Sequence, residues 1–525
     1  MPEPQPSLAQ HYHDRTKYSR ETLAQKAQSI DWSKQPIPYK EYKLGTSFDL
    51  KPYLVKREDA EPPADEAEKM WRRLAHLFFL SYGLTTKMQT MSGDPVYLRA
   101  APSAGALYPA EVYLISRGTP LLPAGLYNYQ PKTHSLLLFW ESDVWAALQN
   151  ACFWHPTLDH TQLALVTTAV FYRSAWRYRD RAYRRICLDT GHLLGNIELA
   201  AAIYDFRPHL IGGFADAAVN ELLYLDTQQE GTLTVMALAD LLDVRQNLPL
   251  APTAIASPIH SSYPAIPDDE LLPYFHHATA IATDSNPSQS SKPLVSASAT
   301  QADSPTAPLN ETIQDKYNFP FCLKVSTKTQ PVYWGESLLG LEKTIGQRRS
   351  TRAYTGANIT IEELKAVLDF TYNPHHYYEQ TLDRHPDYFD LGLIETFIAV
   401  SGVDGLEEGC YYYAPKAEEL RQIRFKNFRH ELHELCLEQN LGRDAAVVLF
   451  HTADLQKAVE TYGDRAYRYL HLDAGHLGQR LNLAAIHLGL GVSGIAGFFD
   501  DEVNEVLGIP TDEAALYITT LGRPR

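Results

Sequence analysis

The sequence contains one long stretch twice. Residues 180–221 are DRAYRRICLDTGHLLGNIELAAAIYDFRPHLIGGFADAAVNE, and residues 464–505 are DRAYRYLHLDAGHLGQRLNLAAIHLGLGVSGIAGFFDDEVNE. A constant offset of 284 residues aligns the two stretches without a gap, and it also pairs Glu111 with Glu395. A duplication of this length indicates two copies of one domain. Because two copies are too few for a solenoid, we predict a covalently joined dimer that works as an intrachain pseudo-dimer.

The length of 525 residues leaves room for two domains and more. We place a first domain with an N-terminal extension at residues 1–248, a linker at 249–314 and a second domain at 315–525. The linker is rich in Pro, Ser and Ala, most densely in TDSNPSQSSKPLVSASATQADSPTAP. Such a tract cannot bury enough apolar surface to offset its ordering entropy, so we expect it to be partly disordered.

The charge and the apolar runs exclude some classes of partner. The formal net charge of −16 argues against nucleic acid, which requires a basic surface. No apolar run approaches the ~20 residues of a membrane span, and the first twenty residues lack the apolar core of a secretory signal. The five cysteines show no CxxC pair, which favours reduced thiols. We therefore expect a cytoplasmic protein that binds neither nucleic acid nor membrane.

Strand and helix patterns alternate in each copy, with both hairpin and crossover connections. Apolar spacing predicts a helix over Glu66–Tyr82 that Gly83 ends, and a buried Ala/Leu-rich helix over Asp189–Tyr204. Thr360 and Glu363 have the spacing of a capping box. The fold class predicted for each copy is α+β, a mostly antiparallel sheet covered by helices.

Polar residues in the duplicated helix have structural interpretations. His192 and His476 lie among Ala and Leu, where a hydrogen-bonded structural histidine is favoured over a catalytic base. Asp189 and Asp473 are interpreted as helix caps. No ligand partner stands at a metal-binding spacing, so we predict no metal site.

Two motifs carry groups that suit a phosphate and a flat ring. Clustered arginines bind phosphate bidentately, and the sequence QRRSTR with the terminal GRPR supplies a set of candidates. A loop of small residues lets main chain approach a planar ring, and APSAGALYP supplies one. The alternatives are a solvated helix start and an ordinary tight turn. The candidate phosphate ligands are Arg348, Arg349, Ser350, Arg352 and Arg523, and the small-residue loop consists of Pro102, Ser103, Ala104 and Gly105.

Taken together and in order, QRRSTR, APSAGALYP, the two DxGH helices and the terminal LGRP resemble the flavin-dependent nitroreductase superfamily. Within it they look most like the SagB-type azoline dehydrogenases. The resemblance implies two tandem α+β domains that form the dimer. It also implies that FMN lies at the interface between the two domains. It implies that a flavin takes its phosphate ligands from one copy and its small-residue loop from the other. It also implies that Ala496 and Gly497 lie against the N5 edge of the flavin, where a backbone donor tunes the redox chemistry.

Each copy has lost the part that the other keeps. The offset aligns Pro102–Gly105 with Pro386–Phe389, which reads Pro-Asp-Tyr-Phe and would crowd a flavin. Conversely, the first copy has VKREDAE around Arg57 in place of RRSTR, and ALADLLD in place of TLGRPR. The retained parts meet at one interface site, so we expect one FMN per chain.

The resemblance implies an FMN-dependent oxidoreductase that transfers a hydride at flavin N5. For SagB-type relatives the reaction is oxidation of azolines to azoles in modified peptides, and these relatives typically carry a Lys-Tyr pair just before the YRY segment. Here Tyr178 and Tyr462 are the candidate catalytic residues, and Arg177 and Thr461 stand where the lysine is expected. One alternative is a reductase of nitroaromatics or quinones with NAD(P)H as reductant. Another is a flavin-free scaffold that retains the fold.

Overall fold

Two copies of the same sheet form the framework of the protein. The computed structural model describes residues 5–25, 30–55, 61–89, 93, 95–251, 253–283 and 316–525. Each copy has a seven-stranded sheet with antiparallel neighbours and the same strand order. The first sheet runs β1 (Thr46–Asp49), β6 (Ser135–Glu141), β5 (Gly125–Gln130), β4 (Ala110–Ser116), β7 (Leu163–Val170), β9 (Glu230–Asp240) and β8 (Phe206–Ile211). The second runs β10 (Lys324–Ser326), β15 (Glu419–Arg424), β14 (Gly409–Ala414), β12 (Glu395–Val400), β16 (Val447–Asp454), β18 (Glu513–Gly522) and β17 (Gly491–Ile495).

Helices cover the sheets, and two small ribbons complete the strands. The ribbons are β2 (Leu84–Gln89) with β3 (Pro95–Arg99), and β11 (Ile359–Thr360) with β13 (Val403–Asp404). The helices of the first half are α1 (Leu8–Arg15), α2 (Arg20–Gln25), α3 (Glu66–Tyr82), α4 (Trp145–Ala151), α5 (Thr157–His160), α6 (Phe171–Tyr178), α7 (Ala182–Ile203), α8 (Asp216–Leu222) and α9 (Leu271–Ala278). Those of the second half are α10 (Leu339–Gln347), α11 (Ile361–Tyr372), α12 (Arg429–Leu435), α13 (Asn440–Asp444), α14 (Leu455–Tyr462), α15 (Ala466–His487) and α16 (Asp500–Leu507).

Local signals in the sequence give several of these boundaries. The Asp65 carboxylate accepts from the Glu68 amide at the start of α3, and Gly83 follows its last residue, as predicted. The capping box before α11 is confirmed, because Thr360 Oγ1 accepts from the Glu363 amide while Glu363 accepts from the Thr360 amide. The α+β class is likewise confirmed in both copies.

The cap interpretation of Asp189 and Asp473 was wrong. The long helices begin at Ala182 and Ala466, so these aspartates lie about two turns inside them. Their carboxylates accept from loops instead of from the helix's own first turn. Asp189 binds Ser103 and Ala104, which are distant in sequence, and a local capping rule cannot anticipate such partners.

Helices α7 and α15 pack backbone against backbone at the centre of the molecule. A Cβ placed on Gly191 would lie 2.8 Å from the Cα of Gly475 and would overlap the carbonyl oxygen of Leu472. The converse holds for Gly475, whose Cβ would overlap the carbonyl oxygen of Leu188. The glycine of each DxGH motif is therefore required by the close approach of the two helices.

Buried ion pairs cross between the copies in a reciprocal pattern. Asp216 of the first half accepts from Arg465 at 2.6 Å and from Arg468 at 3.0 Å in the second half. At the 284-residue offset, Asp500 accepts from Arg181 and Arg184 of the first half at 2.8 and 2.6 Å. Each half thus supplies the carboxylate that neutralises the other half's arginines, and the two domains form the intrachain pseudo-dimer.

Part of the predicted linker packs into the protein. Within residues 253–283, helix α9 buries Leu271 and Phe275 completely. Residues 284–314 of the predicted linker lie outside the described residues, as does Arg57 of VKREDAE. In the part of the chain that the structure describes, no helix has both the length and the apolar character to cross a membrane.

Candidate active site

The small-residue loop of the first copy is anchored to helix α7. Ser103 Oγ donates to Asp189 Oδ2 at 2.6 Å, and the Ala104 amide donates to the same carboxylate at 3.1 Å. Gly105 adopts a φ of 65°, a left-handed conformation that favours glycine. Burial raises the pKa of Asp189 to about 7, although the hydrogen bonds from Ser103 and Ala104 oppose this shift. The loop is therefore held by a carboxyl group that titrates near neutrality.

The arginine segment, Arg348–Arg352, lies beside the strand that leads into this loop. Arg348 Nε donates to the Ala100 carbonyl oxygen at 2.7 Å, and burial lowers the pKa of Arg348 to about 10. Arg349 donates to the Thr85 carbonyl oxygen at 3.0 Å. The arginine segment of the second copy thus contacts the first copy two residues before the small-residue loop.

The remaining candidate phosphate ligands differ in their freedom to bind a ligand. Ser350 is half-buried and Arg352 is exposed, and neither side chain has a hydrogen bond or ion pair among the described residues. Arg523 instead donates from both Nη atoms to Glu363 at 2.8 Å. The charge of Arg523 is therefore neutralised within the protein.

Residues from both copies converge beyond the loop, and we call this group the first site: Gly105, Tyr178, Arg185 and Gly497. A Cβ on Gly105 would lie 3.0 Å from Tyr178 Oη. The guanidinium carbon of Arg185 lies 3.7 Å from the centre of the Tyr178 ring. A Cβ on Gly497 would lie 3.3 Å from Arg185 Nη2, and the neighbouring Ala496 carbonyl oxygen accepts from Arg181 at 3.4 Å.

At the 284-residue offset lies the second site: Gly213, Phe389, Tyr462 and Tyr469. Here the Phe389 ring stacks on Tyr469, with ring centres 4.5 Å apart and planes 14° apart. Ile255 packs directly over Gly213, because a Cβ on Gly213 would overlap the Ile255 side chain. The second site is filled by the chain's own side chains.

A cavity of about 300 Å³ adjoins the second site, between the two copies. Its lining includes Leu194, Arg207, Asp387 and His476. Arg207 is bonded there to Asp387 at 3.0 Å and to Asp383 at 2.6 Å. Arg207 is therefore already neutralised, and Arg384, which also lines the cavity, lies over the Tyr378 ring.

The duplicated histidines have structural partners. His192 Nδ1 donates to the Leu188 carbonyl oxygen at 2.8 Å, and its Nε2 lies 3.2 Å from Tyr517 Oη. Burial lowers the pKa of His192 to about 4. His476 bonds to Glu198 at 3.1 Å across the interface. Both contacts agree with the structural interpretation of these residues.

Among the described residues, Asp369, His376 and Glu418 place three potential metal ligands within 4.8 Å of one another. Asp369 already accepts from His376 Nδ1 at 2.6 Å and from Tyr377 Oη at 2.8 Å. The sequence reasoning missed this cluster because its members are not regularly spaced. It carries no independent sign of a bound ion.

Sequence reasoning also missed Arg185 and Ile255. Arg185 has Tyr469 as its counterpart at the 284-residue offset, so a comparison of charges within the duplicated stretch could have singled it out. Ile255 stands in a segment with the composition of a linker, and nothing in its neighbours indicates that it would fill a site.

Comparison with known proteins identifies both halves. The model of the nitroreductase family matches residues 57–239 and 345–523. A crystal structure from Anabaena variabilis, provisionally named a nitroreductase, is 65% identical, covers 99% of this chain and 100% of its own, and superposes with a TM-score of 0.90. A Methanocaldococcus jannaschii protein, also provisionally named a nitroreductase, is 33% identical over 183 residues, which make up 35% of this chain and 90% of that protein.

The microcin B17-processing protein McbC of Escherichia coli is 29% identical over 158 residues. That match takes in 29% of this chain and 58% of McbC, so it spans less than two thirds of that relative. The trifolitoxin-processing protein TfxF of Rhizobium leguminosarum is 26% identical over 133 residues, or 43% of its length. The resemblance predicted from the motifs is confirmed, and since the family model matches well over half of the sequence, the chain belongs to the nitroreductase family and carries it in two copies.

Proposed function

We propose that this chain is an FMN-dependent oxidoreductase that holds one flavin, in the first site. The observation that carries the proposal is the asymmetry of the two sites. In one, the arginine segment of the second copy adjoins the small-residue loop of the first. In the other, Phe389 and Ile255 occupy the corresponding space.

The residues of the first site fit FMN in charge and in shape. Arg348, Arg349 and Arg352 have no ion pair with an acid among the described residues, and Arg348 is buried. A dianionic phosphate and an electron-rich ring supply the missing negative charge. Glycine at positions 105 and 497 leaves the main chain accessible to a flat ring.

Each group has a proposed part. Arg349, Ser350 and Arg352 hold the phosphate, while Arg348 fixes their segment to the first copy. The backbone of Ala104, Gly105, Ala496 and Gly497 lies along the ring. When bound, FMN supplies two-electron chemistry by hydride transfer at N5.

Tyr178 is the proposed proton donor or acceptor for the substrate. Its hydroxyl faces Gly105 and has no hydrogen bond within the described residues. Tyr462 is less suited, because its hydroxyl donates to Asp390 at 3.1 Å in the filled second site. Only one of the two candidate tyrosines is therefore placed to act on a substrate.

Two reactions suit this arrangement. The likeness to McbC and TfxF favours dehydrogenation of azoline rings in modified peptides, and Arg177 then replaces the lysine of the Lys-Tyr pair. The family as a whole favours reduction of nitro compounds or quinones with NAD(P)H. The unpaired arginines argue against a flavin-free scaffold, because an uncompensated buried charge is costly.

We predict one FMN per chain, and its loss in Gly105→Phe. The added ring copies Phe389 and meets Tyr178, so it fills the first site as Phe389 fills the second. Flavin released by denaturation, measured by absorbance per chain, tests this. Gly489→Phe is the matched control, because Gly489 has a similar φ of 74° but open space around it. Two flavins per chain, or flavin retained in Gly105→Phe, would contradict the proposal.

We also predict that Arg349→Ala weakens FMN binding about 10- to 100-fold, since each charge-assisted hydrogen bond contributes ~1.5–3 kcal/mol. Arg523→Ala is expected to have a smaller effect, because Arg523 is already paired with Glu363. Fluorescence titration of the apoprotein with FMN measures both affinities. Equal losses in the two variants would show that Arg523 leaves Glu363 to bind the phosphate.

A further inference from the structure

Arg185 is a buried cation that lies over the Tyr178 ring but has no acidic partner among the described residues. It is 8% exposed, its Nε has no hydrogen bond, and no described residue forms an ion pair with it. Asp189, four residues further along the same helix, is bonded to Ser103 and Ala104 instead. Arg181 and Arg184, on the same helical stretch, are both neutralised by Asp500. An isolated buried guanidinium is unfavourable, so this one calls for a negatively charged group from outside the chain.

A second cation lies near Tyr178. The guanidinium carbon of Arg177 is 5.7 Å from the Tyr178 ring centre, and its Nη1 is 3.5 Å from the position of a Cβ on Gly105. Arg177 is exposed and has no acidic partner among the residues described. Two guanidinium groups and one phenol hydroxyl therefore converge beside the small-residue loop.

The second site provides an internal comparison. There the counterparts of Arg177 and Arg185 are Thr461 and Tyr469, and the hydroxyl of Tyr462 donates to the carboxylate of Asp390 at 3.1 Å. The counterpart of Asp390 in the first copy is Ala106. The filled site thus supplies its own carboxylate to the tyrosine, and Arg465, 5.7 Å from the Tyr469 ring centre, is paired with Asp216. The first site has alanine in place of that aspartate and carries two arginines without an acidic partner among the described residues.

We infer that the first site binds a substrate that carries a carboxylate group, held by Arg177 and Arg185 beside the hydroxyl of Tyr178. A carboxylate accepts two parallel hydrogen bonds from a guanidinium and also accepts from a phenol, so its chemistry suits the donors gathered here. That the bound molecule is a substrate depends on the proposed function. That the site selects an anion depends only on these residues.

Isothermal titration of the purified full-length protein with benzoate and with benzamide tests the inference. The two probes have the same shape and differ in charge, so benzoate is expected to bind at least tenfold more tightly. Arg177→Gln and Arg185→Gln are each expected to weaken benzoate binding about 10- to 100-fold, with little change for benzamide. Thr461→Ala, at the counterpart of Arg177, is the matched control and is expected to leave benzoate binding unchanged.

Several results would overturn the inference. Equal affinity for benzoate and benzamide would exclude a carboxylate site. Unchanged benzoate affinity in both arginine variants would also exclude it. So would an Arg185→Gln variant that loses FMN but still binds benzoate. Arg177 is exposed, so its variant tests the inference even where Arg185→Gln fails to fold.

The calorimetry separates this inference from the proposed function. A protein that binds benzoate more tightly than benzamide but binds no FMN would contradict the proposed function and still support the carboxylate-binding site. The opposite result would contradict the carboxylate-binding site alone. In that case the protein binds FMN and reduces p-nitrobenzamide and p-nitrobenzoate with the same KM, and it binds benzoate and benzamide equally.

Discussion

Gly191→Ala is expected to lower the free energy of unfolding by about 3 kcal/mol or more. The new methyl group would overlap the carbonyl oxygen of Leu472 and approach the Cα of Gly475 within 2.8 Å. Backbone atoms of two long helices cannot move aside as a side chain can. The loss of stability is therefore expected at the upper end of the range for substitutions that overpack a core. The midpoint of urea unfolding, followed by circular dichroism, measures the change.

Gly346→Ala is the control for this substitution. Gly346 also lies in a helix, α10, but a Cβ there would meet no atom within 4 Å. Alanine is favoured over glycine in a helix by up to ~1 kcal/mol, so this variant is expected to be slightly stabilised. Similar behaviour of the two variants would show that the crossing of α7 and α15 is looser than the contacts indicate.

Asp500→Ala is expected to destabilise the protein by about 3–5 kcal/mol, because it leaves Arg181 and Arg184 buried without their carboxylate. Burial alone would raise the pKa of Asp500, but these two arginines hold it below its usual value. The stabilisation is therefore complete above the unfolded pKa of about 3.9 and is lost as the pH falls below it. Thermal unfolding at pH 7 and at about pH 2, well below the unfolded pKa, tests both statements.

The neighbouring residue provides the matched control. Asp501 pairs with Lys17 at 2.9 Å, but its side chain is 79% exposed, and exposed pairs contribute at most ~1 kcal/mol. Asp501→Ala is therefore expected to change stability little. A small effect of Asp500→Ala as well would mean that water reaches Arg181 and Arg184.

The sequence predicts those parts of the fold whose causes are local or repeated. Thr360 and Glu363 stand three residues apart, so their capping box is visible in one short segment. The 284-residue offset likewise predicts the asymmetry between Gly105 and Phe389. Contacts between distant segments leave no such signal. Neither the bond from Asp189 to Ser103 nor the pairing of Arg523 with Glu363 follows from the neighbours of those residues.

Ile255 shows why composition misleads over the middle of the chain. The residues around it are the Pro, Ala and Ser typical of a linker, and their own apolar surface is too small to fold alone. They order because the two copies together offer them a surface. Ile255 packs on Gly213 of the first copy, and the Ser257 amide donates to the Tyr462 carbonyl oxygen of the second copy at 3.0 Å. Order of this kind is a property of the assembled molecule.

The reciprocal pairing of Asp216 and Asp500 bears on how the protein behaves on dilution. A dimer of separate subunits dissociates as its concentration falls, and its melting temperature falls with it. Here the two halves are tethered, so each meets the other at an effective concentration that the covalent connection sets. The arginines of each half keep their carboxylates at any protein concentration. A dissociating dimer would have to desolvate these charged side chains each time its subunits associate. In this chain the charged interface forms once, when the chain folds.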